Sequence, residues 1–282
     1  MLKKQILLTL IGLGIVIALF MLASTVAPKT KQAVPAVSAV KSFDIHQFIA
    51  EKKMQLSSSL ALELGKLENS VTRGDVNSQL VTANTQLAGF WRDSIKSFEP
   101  YIYYLSEAAK LDKSEKNLTF AAQLILHNLR SEQDEAKLNW ETEQAIALFE
   151  MGIALYPDND DLKVGLGSCY VFGKGRVGGP EETMKGIQQL LSVVRKDSNN
   201  MKAQMMLGVG GYVSGQYDKA IERLQKVVTA QPDNIEAIAF LADTYAAKGD
   251  KQEAIKWYLI SKRLVNDSHY SEEVDERIKL LR

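Results

Sequence analysis

Residues 201–268 read MKAQMMLGVGGYVSGQYDKAIERLQKVVTAQPDN and then IEAIAFLADTYAAKGDKQEAIKWYLISKRLVNDS, two consecutive 34-residue windows with one spaced pattern. Aligned by position, the pairs are Leu207/Leu241, Gly208/Ala242, Gly215/Gly249, Ala220/Ala254, Ile221/Ile255 and Leu224/Tyr258. Tyr245 stands at the eleventh position of its window, and Pro232 at the thirty-second of the first. A period of this length is the signature of stacked helical hairpins, which bury their apolar faces only against their neighbours. The expected fold is therefore all-α, a helical-hairpin solenoid that offers a surface to a partner.

Each window reads as two helices joined at Ser214–Gly215–Gln216 or Lys248–Gly249–Asp250. Glycine suits the left-handed conformation that ends the first helix. Gly208, Ala242, Ala220 and Ala254 permit close approach of the paired helices, and Leu207, Leu224, Leu241 and Tyr258 fill the volume around them. Pro232 cannot continue the second helix, and Asp233–Asn234 supplies a turn and an N-cap. On these residues the windows resemble the tetratricopeptide repeat, with departures at Gln204 and Ile238 (the fourth position) and at Gly211 (the eleventh).

Two earlier windows fit with insertions. In 160–200, Leu166, Gly167 and Tyr170 match a first helix and Gly186, Leu190 and Val193 a second, with seven extra residues within Phe172–Pro180. In 116–159, the segment from Asn117 to Arg130 partners Ala145, Phe149, Gly152 and Pro157 across a long charged connection, Ser131–Asn139. A degenerate window is expected from Thr82 to Glu115, with Gly89, Leu105, Ala108 and Asp112 in place. Ahead of it, Asp44 is expected to cap a helix carrying Ile45, Phe48, Ile49, Met54 and Leu56, continued by Leu60, Leu64 and Leu67 to a turn near 69–74. Asp75 is expected to cap the next helix, with Leu80, Leu87, Phe90 and Trp91. At the far end, Ser271 is expected to cap a final helix. Its first turn would hold Glu272, Glu273 and Asp275, and Val274, Ile278 and Leu281 would form its apolar stripe.

The N-terminus carries a separate signal. After a four-residue tail (1–4), Gln5–Ala27 is uncharged and almost wholly apolar. Twenty-three residues at helical rise reach ~34 Å, against a hydrocarbon core of ~30 Å. A cleaved signal peptide is the rival reading. The apolar run is longer than the usual ~7–15 residues, and Pro28 follows the one plausible cut. Residues 5–27 are thus expected to be a single transmembrane signal-anchor helix, and 28–43 an Ala/Pro/Ser-rich tether. The division that follows is 44–115 as an N-terminal helical segment, 116–268 as repeats (116–159, 160–200, 201–234, 235–268) and 269–282 as a capping helix. With Lys3 and Lys4 at the short N-terminus, the repeats are expected on the periplasmic side of a bacterial inner membrane.

Composition narrows the function classes. Across 282 residues, Lys+Arg and Asp+Glu both total 34. No basic stripe for phosphates follows from that balance, so no nucleic-acid partner is expected. The single cysteine, Cys169, is expected to be a buried structural thiol. FGKGRVGGP at 172–180 lacks the GxxxxGK[ST] order of a phosphate loop and is expected to be a solvent-exposed inter-helix loop. His46, His127 and His269 are scattered, so no metal site is assigned. No catalytic residues, cofactor or small-molecule substrate are assigned either.

The arrangement over 5–282 resembles membrane-anchored tetratricopeptide proteins of the bacterial (Bacteroidetes-type) envelope, which implies an interaction role. In that architecture the second, fifth, ninth and twelfth positions of each first helix face the concave groove. They are Asp161, Val164, Ser168 and Val171, then Lys202, Met205, Val209 and Tyr212, then Glu236, Ala239, Asp243 and Ala246. Ser168, Lys202, Met205, Val209, Tyr212, Glu236 and Asp243 are the expected partner-binding residues. Methionine adapts to varied partners, and tyrosine is an amphipathic anchor. A tetratricopeptide clamp for chaperone tails would need Lys and Asn at the fifth and ninth positions, where Met205, Val209, Ala239 and Asp243 stand. The expected function is a non-catalytic scaffold or assembly factor, anchored in the membrane, that binds a partner peptide or helix in its groove. The alternative is an accessory subunit of a membrane complex, of secretion or cytochrome-maturation type, using the membrane helix as a further contact.

Overall fold

The computed structural model describes residues 42–73 and 76–282. Among these, the helices run in the order α1 (Ile45–Lys53), α2 (Ser58–Arg73), α3 (Asn77–Phe90), α4 (Phe98–Asp112), α5 (Glu115–Leu129), α6 (Glu135–Leu155), α7 (Asp160–Cys169), α8 (Gly175–Gly178), α9 (Pro180–Lys196), α10 (Met201–Val213), α11 (Tyr217–Ala230), α12 (Ile235–Lys248), α13 (Lys251–Val265) and α14 (Ser268–Leu281). No strand occurs among the described residues. From α3 onward they pack as hairpins, α3–α4, α5–α6, α7–α9, α10–α11 and α12–α13, with α14 closing the stack on α13. The expected membrane helix, most of the tether and Asp75 lie outside the described residues. No helix among the described residues is long and apolar enough to cross a membrane.

The repeat pattern has its physical counterpart in the C-terminal hairpins. Gly215 and Gly249 take φ of 74° and 90°, the left-handed turn that reverses the chain. Asn200, Asn234 and Asp250 cap α10, α12 and α13 by accepting from the backbone N–H groups of Ala203, Ala237 and Glu253. Asn234 carries a second bond, from its Nδ2 to Gln231 Oε1 at 2.9 Å. An Asn234→Ala change is expected to cost about 1 kcal/mol, the usual worth of such a cap. It should read out as a lower urea midpoint with an unchanged slope.

α7 is buried along nearly its whole length, at Leu162 and again from Val164 to Cys169. Leu162, Leu166 and Cys169 join a core that extends back through α6, α5 and α4. Val164 joins a second core that extends forward through α9 to α14. A helix packed on both sides leaves no room for side chains at the closest approaches. A Cβ at Gly165 would lie 2.2 Å from the Phe149 ring, and one at Gly186 of α9 would lie 2.5 Å from the Gly167 carbonyl oxygen. Cys169 is fully buried here, and burial pushes its thiol pKa up.

Several expected boundaries move. The single helix expected from Asp44 to Leu67 is two: Asp44 caps α1 as anticipated, but the chain turns at 54–57 and leaves Met54 exposed. Ser57, whose carbonyl and hydroxyl take the Ala61 and Leu60 N–H groups, starts α2. α2 then runs through Arg73, across the turn expected near 69–74. Phe43, assigned to the tether, packs its ring 5.1 Å from that of Trp140 and belongs to the folded unit. The long charged connection at 131–139 is short. Asp134 caps α6, and Leu138 and Trp140 are buried, so this charged run is largely a helical turn. α14 is capped by Asp267, not by Ser271, which puts Glu272, Glu273 and Asp275 beyond its first turn.

The largest correction concerns 172–180. Instead of a solvent-exposed loop, α7 continues through a π-turn, Tyr170–Lys174, into α8. Non-local bonds hold it. Arg176 donates from Nη1 to the Leu129 carbonyl at 2.7 Å and from Nη2 to the Glu132 carbonyl at 2.9 Å, tying off the end of α5. Lys174 Nζ bonds Asn139 and Glu143 of α6. A Cβ at Gly173 would collide with Thr142 of α6, so the glycine permits backbone contact between the π-turn and that helix.

Between α5 and α6 lies one buried carboxyl. Glu141 is fully buried, and its two oxygens accept from Asn128 Nδ2 at 3.1 and 2.9 Å. Burial pushes its pKa up to about 7. The neighbouring Glu132 and Glu99 reinforce the shift, while Asn128 and Lys137 oppose it.

Candidate functional site

The first helices of four hairpins, α5, α7, α10 and α12, line a concavity of about 470 Å³. Leu126, Val164, Met201, Met205 and Met206 make its apolar lining. Methionines at i and i+4 share one helix face, which places the thioethers of Met201 and Met205 side by side in register. Thioether chains are polarizable and reshape around varied partners. Polar groups are interspersed. Thr119 Oγ1 is buried without a hydrogen-bond partner among the described residues, while Ser168 Oγ donates to the Val164 carbonyl at 2.8 Å.

Two ion pairs stand among the lining residues. Lys202 Nζ meets Asp161 at 3.0 Å, and Arg130 of the α5 terminus pairs with Glu236 of α12. The Arg130 guanidinium also lies 4.4 Å from the centroid of the Phe172 ring, in cation–π contact. Phe172 sits in the π-turn, so the glycine-rich insertion reaches the groove through Arg130.

Of the residues expected to bind a partner, Ser168, Lys202, Met205 and Glu236 come together in this concavity, as do Asp161 and Val164. The others do not. Val209 is fully buried, because α10 is enclosed continuously from Ala203 to Gly211, and Val171 is buried likewise. Tyr212 packs its ring edge on Phe240, with centroids 6.1 Å apart, and burial raises its phenol pKa. Asp243 accepts from the Tyr258 hydroxyl and from Arg277 of α14 at 2.9 Å. It lines a separate cleft of about 140 Å³ with Ala239, under the capping helix. The contribution of α5, namely Thr119, Gln123, Leu126 and Arg130, was not assigned from sequence. Its signal was the apolar periodicity of 117–130, which identified a first helix without fixing its register.

A further depression of about 300 Å³ lies among α3, α4 and α5 beside the exposed ring of Phe120. Its one cation, Arg92, is already paired with Asp93 at 2.7 Å. Among the described residues there is no group of three or more His, Cys, Asp or Glu placed to hold a metal ion.

Comparison with known proteins agrees with this architecture. Residues 214–272 match the tetratricopeptide repeat family. A tetratricopeptide protein of Thermus thermophilus is 16% identical, with a TM-score of 0.51 over 71% of this chain and 98% of its own. A tetratricopeptide repeat protein from Parabacteroides merdae is 13% identical, with a TM-score of 0.49 over 84% and 92%. YrrB, described as a tetratricopeptide protein with an unusual peptide-binding site, is 16% identical, with a TM-score of 0.44 over 74% and 97%. The Thermus structure shares the fold, and that is as far as the likeness goes. No curated protein matches the chain in sequence.

Proposed function

We propose that this chain, whose C-terminal hairpins are tetratricopeptide repeats, is a non-catalytic scaffold or assembly factor that binds a segment of a protein partner in the α5–α7–α10–α12 concavity. The observation that carries the reading is the concavity itself, with its methionine lining, unpartnered threonine hydroxyl and flanking ion pairs. Its volume falls within the ~300–1,000 Å³ that encloses a compact ligand. Solenoids of stacked hairpins use such concave surfaces to hold partners. The uncharged run Gln5–Ala27 supports an anchor in a bacterial inner membrane, with the repeats on the periplasmic side.

The test is affinity capture of the full-length protein from mild-detergent membranes, compared with Met201→Glu. Met201 is half-buried in the first turn of α10, where an added acid is favourable to the helix dipole, so folding should survive. A charge on the apolar lining should reduce recovery of a groove partner at least tenfold. Equal recovery by both proteins, with both folded, would move the binding surface elsewhere.

A further inference from the structure

We infer that the Arg130–Glu236 pair is an internal placeholder: Arg130 is the seat for an acidic side chain of an extended partner segment, and Glu236 occupies that seat while the groove is empty. The inference rests on the groove reading above and names the chemistry that the groove selects.

The two members of the pair are held very differently. Arg130 is braced twice. Its guanidinium lies against Phe172, and the backbone on either side of it is fixed where Arg176 bonds the Leu129 and Glu132 carbonyls. Glu236 sits in the first turn of α12 with its side chain 44% exposed, and among the described residues it makes no other ion pair or hydrogen bond. When the pair opens, the cation stays in place and the anion swings into solvent. A partner's lysine reaching for Glu236 would meet a mobile target beside a fixed positive charge. A partner's carboxylate reaching for Arg130 meets a positioned donor.

The exchange is energetically accessible. An ion pair this exposed adds little to stability, so displacing Glu236 costs little. Arginine presents a planar fork that matches a carboxylate bidentately. Phe172 leaves the fork oriented. Lys202, the other cation of the lining, pairs with Asp161 in a still more exposed setting and presents an ammonium without arginine's planar fork, so it is the less positioned donor. Apolar side chains next to the acid would lie on Met201 and Met205. Glu236 also lines the cleft under α14, so a bound segment can run past Arg130 along the inner face and need not end there. That continuity favours an acidic side chain within a chain over a chain terminus.

The test uses the full chain in mild detergent and a random dodecapeptide library displayed through its peptide C-termini, so that no terminal carboxylate is available. Selected peptides, synthesised with amidated ends and a fluorescent label, are then titrated against the wild type, Arg130→Gln and Glu236→Gln. The expected selection places Asp or Glu beside apolar residues. Arg130→Gln should weaken binding about tenfold, whereas Glu236→Gln should tighten it about threefold by removing the internal competitor. Replacing the peptide's acid with its amide should cost nothing further in Arg130→Gln. Opposite signs for the two variants are the decisive result, because a pair that merely braces the groove would weaken binding in both. Parallel weakening, or selected peptides with no acidic preference, overturns the inference and leaves the groove reading intact. If no peptide is selected, or Met201→Glu binds the selected peptides as well as wild type does, the groove reading itself fails.

Discussion

Replacing Gly186 with valine is expected to lower the stability of the folded unit by about 3 kcal/mol, the upper end of the usual cost of overpacking a core. The clash is with backbone and cannot be relieved by a rotamer change. A Cβ there would lie 2.5 Å from the Gly167 carbonyl oxygen and 2.8 Å from the Tyr170 Cβ. α7 and α9 would have to separate, and α7 cannot retreat because Gly165 is already against the Phe149 ring. For a unit of this size the melting temperature should fall by roughly 6–12 °C. Gly89→Ala is the contrasting change. Nothing lies within 4 Å of its added Cβ, and its backbone is ordinary α3 helix. It should be neutral or stabilising by about 0.5–1 kcal/mol. Matching melts for the two variants would mean that the α7–α9 crossing is looser than described.

Glu141→Gln is expected to stabilise the protein in a pH-dependent way. The carboxyl has its folded pKa raised to about 7 from an ordinary 4.5. Folding therefore favours the protonated form. The favourable contribution is complete below pH 4.5, is lost progressively as pH rises through about 7, and is level above that. A shift of this size corresponds to about 3 kcal/mol between the two limits. Glutamine keeps an acceptor for Asn128 and removes the buried charge. The variant should gain up to about 3 kcal/mol over wild type at pH 8 and almost nothing at pH 4. The comparison must be the difference between the two proteins. Carboxylates such as Asp160, whose desolvation is outweighed by Lys196 and Lys163 so that its pKa is lowered, impose the opposite slope on both. Urea midpoints at pH 4, 6 and 8 measure it. A difference independent of pH would show that Glu141 is not desolvated as its burial implies.

The elements that the sequence made legible are those fixed by local chemistry. Gly215 and Gly249 were readable because left-handed turns select glycine, and Asp44 and Asn234 because caps select short acceptors. Gly167 and Gly186 were placed by the repeat register alone, and the structure supplies the reason, a backbone-to-backbone crossing. Segments fixed from a distance were misread. Residues 172–180 have the composition of a loop, yet Arg176 holds them by bonds to carbonyls 44 and 47 residues away. The charged run at 131–139 hid the start of a helix, because Leu138 is its one buried residue. The groove was half legible for the same reason. Position rules picked out Ser168, Lys202, Met205 and Glu236, which line the concavity, but they take each repeat as open. They did not foresee that α14 would claim Asp243 or that α10 would be enclosed around Val209. Arg130 was missed because its partner is 106 residues further on.

The two cores that meet on α7 give the array a grain. A solenoid of equivalent repeats resembles a stack of coins, in which any face can part as easily as the next. Here one ten-residue helix is the shared wall of both blocks, and its glycines fit it to each. The stack is better pictured as two masonry courses keyed to a single stone. Change elsewhere can be absorbed within one course, whereas a change in the keystone loosens both at once. The segment from Leu162 to Cys169 should therefore be the least forgiving stretch of the chain to alter, although it lines the concavity at only three positions.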